Sequence, residues 1–405
     1  MINAAGKFIL PGLIDNHVHY RDWQGELYIA HGVTTVKDLG NPVEWMMALA
    51  EAQRAGKLRG PRIYYVGNVI DMPPAAKDHY LVTESADRAR AFVRKLRDAG
   101  ATGIKVHHQM KPDLLRAIAD EAHKMNLTVT GHLYIMGARE AVMAGLDGLD
   151  HGTGLSHSLS EGEQKPRESR SDFEAYYTEM EDYYRLDPKK YDDLIEMMVQ
   201  RGVVVLPTLS SWWRVATDQA EIYAREDAEF ARMPELRYVP EFVREIWRTS
   251  NRYKAPTPQH LERFKTGYKK TQDFLRRFRR AGGRVLPGTA TVESVPGLSL
   301  IRELELMVAL GYSPIEVIVA VTRGNAEFMG IARELGTIEA GKLADILIVN
   351  RDPLQDVRNL GRVDTVIIGG VIQDLRYHAD YSIPVLRPKL TRPLWIERQI
   401  EEEKR

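Results

Sequence analysis

The chain has 405 residues, 44% of them apolar, and its 56 Lys+Arg balance 56 Asp+Glu for a formal net charge of zero. That length and apolar content fit one large domain with a minor appendage, and the charge balance supplies no global field for nucleic acid or an anionic membrane. Cysteine is absent, which excludes disulfides and thiolate metal sites, so any metal falls to His, Asp, Glu or a modified Lys, a donor set that suits zinc or manganese.

No stretch approaches the run of about 20 apolar residues that spans a bilayer. The opening MINAAGKFILPGLID lacks the charged-then-apolar layout of a signal peptide and enters a core-like strand almost at once. A cytoplasmic location is expected, with removal of an upstream segment left open.

Short apolar, β-branched runs then recur: FILPGLIDNHVH (8–19), VTTVKDLG (33–40), RIYYVG (62–67), GIKVH (103–107), LTVTGH (127–132), GLDGLDHG (145–152), VVVLPTL (203–209) and RVLPGTA (284–290). Such runs mark strands buried on both faces of a parallel sheet. Amphipathic stretches separate them, among them 83–99, with Thr/Ser cap candidates at its start and Gly100 just past its end, and 111–125. Eight strands alternating with helices favour an α/β fold, a TIM-type (β/α)₈ barrel over 7–334. The runner-up, an open doubly wound sheet, usually carries fewer strands and a Gly-rich phosphate loop, and neither GxGxxG nor a Walker pattern occurs. Helical insertions near 155–200 and 212–280 read either as solvated surfaces or as an aromatic lid over the C-terminal strand ends. From 335 to 376 the texture becomes that of a small β unit. The Pro-, Arg- and Glu-rich tail, 377–405, is expected to wrap the surface or a homo-oligomer partner.

His17 and His19 stand two residues apart, so one strand points both to the same side. As a pair they are either metal ligands or merely hydrogen-bonded polar residues. His132 ends the fifth run and His151 the sixth, and barrel enzymes place catalytic groups at such C-terminal strand ends. Four histidines at three such ends favour a metal. His107 and His108 are the closest rivals. Lys105 lies inside the fourth run, where burial would favour its neutral, nucleophilic amine, which reacts with carbon dioxide to give a carbamate; a lysine snorkelling to the rim is the alternative.

PGLIDNHVH, HGVTTVKDLG, TRGNAEFMGI and LGTIEAGKLADILIVNRDP, in that order, resemble the metal-dependent amidohydrolase superfamily, in the branch similar to imidazolonepropionases and Xaa-Pro dipeptidases. The resemblance runs from about residue 7 to 375. It implies two divalent ions, taken as Zn²⁺, held by His17, His19, His132 and His151 and bridged by carboxylated Lys105. The reaction it implies is hydrolysis of an amide (C–N) bond in a small molecule, such as an N-acyl amino acid or dipeptide, by a hydroxide bridging the ions. GHLY resembles the family's histidine-x-tyrosine pattern, which makes Tyr134 a candidate substrate contact.

Two features depart from that pattern. Strands that normally precede the barrel and complete a β-sandwich are missing, so the appendage is expected to be incomplete. The eighth strand, which ends in Gly-Thr-Asp in the family, reads Gly288-Thr289-Ala290 here. Alanine neither binds a metal nor serves as general base, so this chain is expected to be impaired, through deliberate or natural loss of the carboxylate at 290. The rival readings are a non-catalytic binding or scaffold descendant, a one-metal deaminase, and a cyclic-amide, lactone or phosphotriester hydrolase on the same barrel.

Overall fold

The computed structural model describes residues 2–74, 76–161, 167, 172–249, 255–291 and 294–403. In chain order its strands are Phe8–Pro11 (β1), Leu13–Val18 (β2), Val33–Asp38 (β3), Arg62–Tyr65 (β4), Ile70–Asp71 (β5), Leu81–Val82 (β6), Gly103–Val106 (β7), Thr128–Gly131 (β8), Gly148–Asp150 (β9), Val204–Leu206 (β10), Arg284–Val285 (β11), Ile346–Val349 (β12), Val363–Ile368 (β13) and Val371–Ile372 (β14).

Among the described residues, β2-β3-β4 form one parallel sheet and β11-β10-β9-β8-β7-β5-β6 a second. Their hydrogen-bonded ladders do not close into a continuous barrel. The two sheets meet at an isolated parallel bridge between Val18 and Thr291, and Thr102 N donates to Tyr65 O at 2.9 Å across the other junction. Each of the eight sequence runs contains a strand, β2 to β4 and β7 to β11. The strands are shorter than the runs, and β5 and β6 lie outside them.

The first run is two strands. β1 pairs antiparallel with β12, so Phe8–Pro11 joins the β1-β12-β13-β14 sheet and the parallel sheet begins only at Leu13. Gly12 separates them, and a Cβ there would run into Thr34 Oγ1, so the sharp crossing needs glycine.

Helices follow the strands. Ala86–Asp98 starts at Ser85, whose side chain accepts from Arg88 N at 3.4 Å, and Gly100 beyond its end has φ +85°, the left-handed backbone glycine tolerates. It buries Ala89, Phe92, Val93 and Leu96 against the core, the i, i+3, i+4, i+7 stripe of an amphipathic helix. The 155–200 and 212–280 regions hold, among others, helices Asp172–Tyr183, Tyr191–Gln200, Ala220–Phe230 and Pro258–Arg280. The C-terminal tail docks on its own chain: Leu394, Ile396 and Ile400 join the main core, and helix Trp395–Glu402 meets Ala86–Asp98 through Arg88–Glu397 at 3.6 Å. No helix is long and apolar enough to cross a membrane among the described residues.

Candidate metal centre

The C-terminal ends of the parallel strands bring the sequence-selected side chains together. His17 is the fifth residue of β2 and fully buried, and His19 follows the strand, half-buried. Their ring centroids are 5.6 Å apart. His17 is 4.9 Å from His151 and His151 is 4.6 Å from His132, so four imidazoles form one continuous chain of rings. Lys105, on β7, is buried and ion-paired with Asp150, and the other Asp150 oxygen lies 3.2 Å from His17 Nδ1.

Sequence reading passed over Asp150. Strand alternation would send it to the side opposite its neighbour His151. His151 instead has φ +60°, and this left-handed residue breaks the alternation, so both side chains reach the centre. The only signal was an acidic residue beside a candidate ligand.

Burial sets the charge states. It lowers His17 against an opposing pull from Asp150, and holds His19, His132 and His151 well below the ordinary histidine range. The rings are therefore neutral, the form that ligates metals. Burial would raise the Asp150 carboxyl, but the Lys105 ammonium and His17 outweigh it and hold the group well below the usual carboxylate range. Burial also lowers Lys105, with Asp150 opposing. Among the described residues no protein group hydrogen-bonds His17 Nε2. A buried nitrogen left in this way costs free energy, and a cation among neutral imidazoles satisfies it. The donor set therefore fits divalent metal.

Further residues hold these rings in place. His151 Nδ1 lies 2.6 Å from Thr208 Oγ1, a contact that leaves Nε2 unengaged by Thr208. Trp212 stacks on His151 at 4.6 Å and 14° and meets His132 edge-on at 5.2 Å, so the residue at the start of the 212–280 region packs against two of the rings. The loop bearing both is fixed by buried Glu303, whose oxygens accept from Leu209 N at 2.9 Å and Ser210 N at 2.7 Å. On the opposite side Asp15 accepts from Thr289 Oγ1 at 2.7 Å and Thr289 N at 3.1 Å, tying β2 to the loop after β11. Burial pushes the Asp15 carboxyl up to about 7, against these hydrogen bonds.

Ala290 sits in that loop beside His17, donating its N–H to His17 O at 2.6 Å, and presents only a methyl group. Tyr134 is buried; its ring is 5.7 Å from that of His108 and lies 4.9 Å beneath the Arg167 guanidinium, which also donates to Tyr134 O at 3.2 Å.

The comparisons agree with this architecture. The family model described as "Amidohydrolase family" matches residues 8–372. Imidazolonepropionase of Shouchella clausii (strain KSM-K16) is 32% identical over 119 residues, a match covering 27% of this chain and only 26% of that protein. A solved Xaa-Pro dipeptidase with methionine bound in its active site is 22% identical, with 91% of this chain and 87% of that one covered at a TM-score of 0.61. For the bottromycin amidohydrolase the values are 20%, 91%, 77% and 0.67. At these identities the two solved structures establish likeness of fold. With its strand-end histidines and a family match that runs from β1 through β14, the chain belongs to the amidohydrolase family.

Proposed function

We propose that the protein is a metal-dependent hydrolase of amide bonds in small molecules, with N-acyl amino acids and dipeptides as the substrate classes. In this reading the two parallel sheets are the halves of a (β/α)₈ barrel spanning 7–334, with a partial β-sandwich over 335–376 and a tail over 377–405. The observation that carries the proposal is the convergence of His17, His19, His132 and His151 on one strand-end face, with a buried His17 Nε2 that no described protein group satisfies.

His17 and His19 would hold one ion and His132 and His151 a second, with carboxylated Lys105 between them; zinc suits the imidazole donors. Bound divalent ions supply Lewis acidity toward a carbonyl and lower the pKa of water towards about 7. Carboxylation requires the Lys105 ammonium to give up a proton; the neutral amine then joins the carbon of CO₂ and releases a second one. It also replaces the positive partner of Asp150 by a negative one, so it requires cations close by. Thr208 keeps one His151 nitrogen free, and Trp212 excludes water from one side of the rings. Tyr134 lines the substrate space beside His108.

At 290 the methyl group can neither accept a proton from attacking water nor return it to the leaving amine, so turnover by this chain is slow. Its ligand is a small amide rather than nucleic acid or a membrane surface, consistent with the zero net charge. Ala290 also favours a second reading, a descendant that binds without hydrolysing.

A panel of N-acyl amino acids, Xaa-Pro dipeptides and cyclic amides, presented to this chain and to Ala290→Asp after zinc loading, separates the two. Turnover confined to Ala290→Asp supports the hydrolase. Silence from both, with metal bound and the fold intact, supports the binding reading.

A further inference from the structure

A second group of donors lies on the β7–β8 side of the centre. β7 and β8 pair with Val106 opposite Gly131, so the residues just beyond them, His107 and His132, emerge side by side. His132 N donates to Val106 O at 3.2 Å, which extends the ladder to this level. One ligand nitrogen from each of His107, His108 and His132 lies within 4.8 Å of the others, the one His/Asp/Glu group of three or more with such proximity among the described residues. The rings of His107 and His108 stack at 4.0 Å, and each meets His132 edge-on, at 4.8 and 4.4 Å.

The cluster is held from outside. Ile135 N donates to His108 O at 3.1 Å and Met110 N to His107 O at 3.2 Å, which fixes the turn. Buried Asp71 accepts from Gln109 N at 3.0 Å in that same turn, and its second oxygen is 4.0 Å from His107 Nδ1. His107 and His108 are buried.

We propose that His107, His108 and His132 form an imidazole site for a first-row transition ion, zinc being the test case. The site is offset from the His17–His19 pair, and because a neutral imidazole offers one ligating nitrogen, an ion held here takes His132 in place of the His132–His151 position described above. Metal–nitrogen bonds of about 2.0–2.1 Å set the nitrogens of a tetrahedral site roughly 3.3 Å apart, so the three rings must draw together on binding. The proposal does not depend on amide hydrolysis.

The decisive measurement uses the unmodified full chain. It is stripped with chelator, reloaded with excess Zn²⁺ and crystallised, and an anomalous difference map is collected at the zinc edge. A peak within bonding reach of His107, His108 and His132 is expected. Peaks elsewhere with none at this triad overturn the proposal, whether or not any variant folds. In solution, His17→Ala/His19→Ala should retain a tightly held zinc after desalting, and adding His107→Gln and His108→Gln should remove it. Equal zinc content in these two variants, both folded by circular dichroism, also overturns it.

Discussion

On the β2 side of the centre, His17 and His19 are presented by one strand and braced through Asp15 and Thr289 to the loop that carries Ala290. On the β7–β8 side, His107 and His108 are neighbours in a turn braced by Asp71, and they meet His132 from the next strand. Strand alternation spaces ligands two residues apart and leaves room between their rings. A turn sets adjacent residues ring against ring. The first side meets a distant loop that presents only the Ala290 methyl group; the second has its donors together already. A site assembled from several strand ends thus depends on distant segments for its corners, whereas one built in a turn does not.

On the proposed function, a carboxylate placed at 290 gives the largest expected effect. Ala290→Asp places a carboxylate beside His17, and a positioned general base is worth on the order of 10²–10⁴ in rate. Steady-state hydrolysis of the preferred panel member by the two zinc-loaded proteins measures it. A ratio near one would locate the proton acceptor elsewhere.

Asp150 is where the two sides meet, since it pairs with Lys105 on β7 and faces His17 on β2. Removing one partner of a buried ion pair costs about 3–5 kcal/mol, because the other charge is left unpaired. Asp150→Ala should lose stability on that order in metal-free protein, read by urea denaturation. Introduced into Lys105→Met, the same change should cost much less. Equal costs in both backgrounds would mean that the carboxylate acts mainly through His17.

Glu303 tests the support under the Trp212 loop. Burial raises its carboxyl from 4.5 to about 8, outweighing the hydrogen bonds from Ser210 and Leu209. Below pH 4.5 the group is protonated in both folded and unfolded chains and carries no penalty. As pH rises from there to about 8 the unfolded chain releases the proton first, so folding loses stability across that window, on the order of a few kcal/mol in total at about 1.4 kcal/mol per pKa unit. Urea titrations at intervals from pH 5 to 8 should show the native chain losing stability relative to Glu303→Gln. Parallel curves would show that Glu303 folds as a charged group.

The sequence disclosed the parts of the molecule set by local rules. β-branched apolar runs gave the positions of eight parallel strands, Ser85 and Gly100 bounded a helix, and the two-residue spacing of His17 and His19 put both rings on one side. It did not disclose what rests on a single backbone angle or on packing between distant segments. The crossing at Gly12 moved Phe8–Pro11 into another sheet, and the left-handed His151 brought Asp150 inward. Lys105 and Asp150 meet across the intervening β8, a pairing that no spacing along the chain encodes. His107 and His108 were visible as histidines, but only the turn after Val106 stacks them.

The smallest expected effect returns to Ala290, whose φ is +48°. An L-residue in left-handed backbone costs about 1–2 kcal/mol, and Ala290→Gly removes that cost. Glycine gives back part of the gain, roughly 0.4–1 kcal/mol, through the greater freedom of the unfolded chain. The net expectation is stabilisation of about 0.5–1 kcal/mol, visible as a raised urea midpoint with an unchanged slope. Asp and Asn enter this backbone region more readily than most residues, so Ala290→Asp should be accommodated without loss of stability in the metal-loaded protein. If glycine instead destabilises the chain, the His17–Ala290 hydrogen bond is held by a backbone outside the left-handed region.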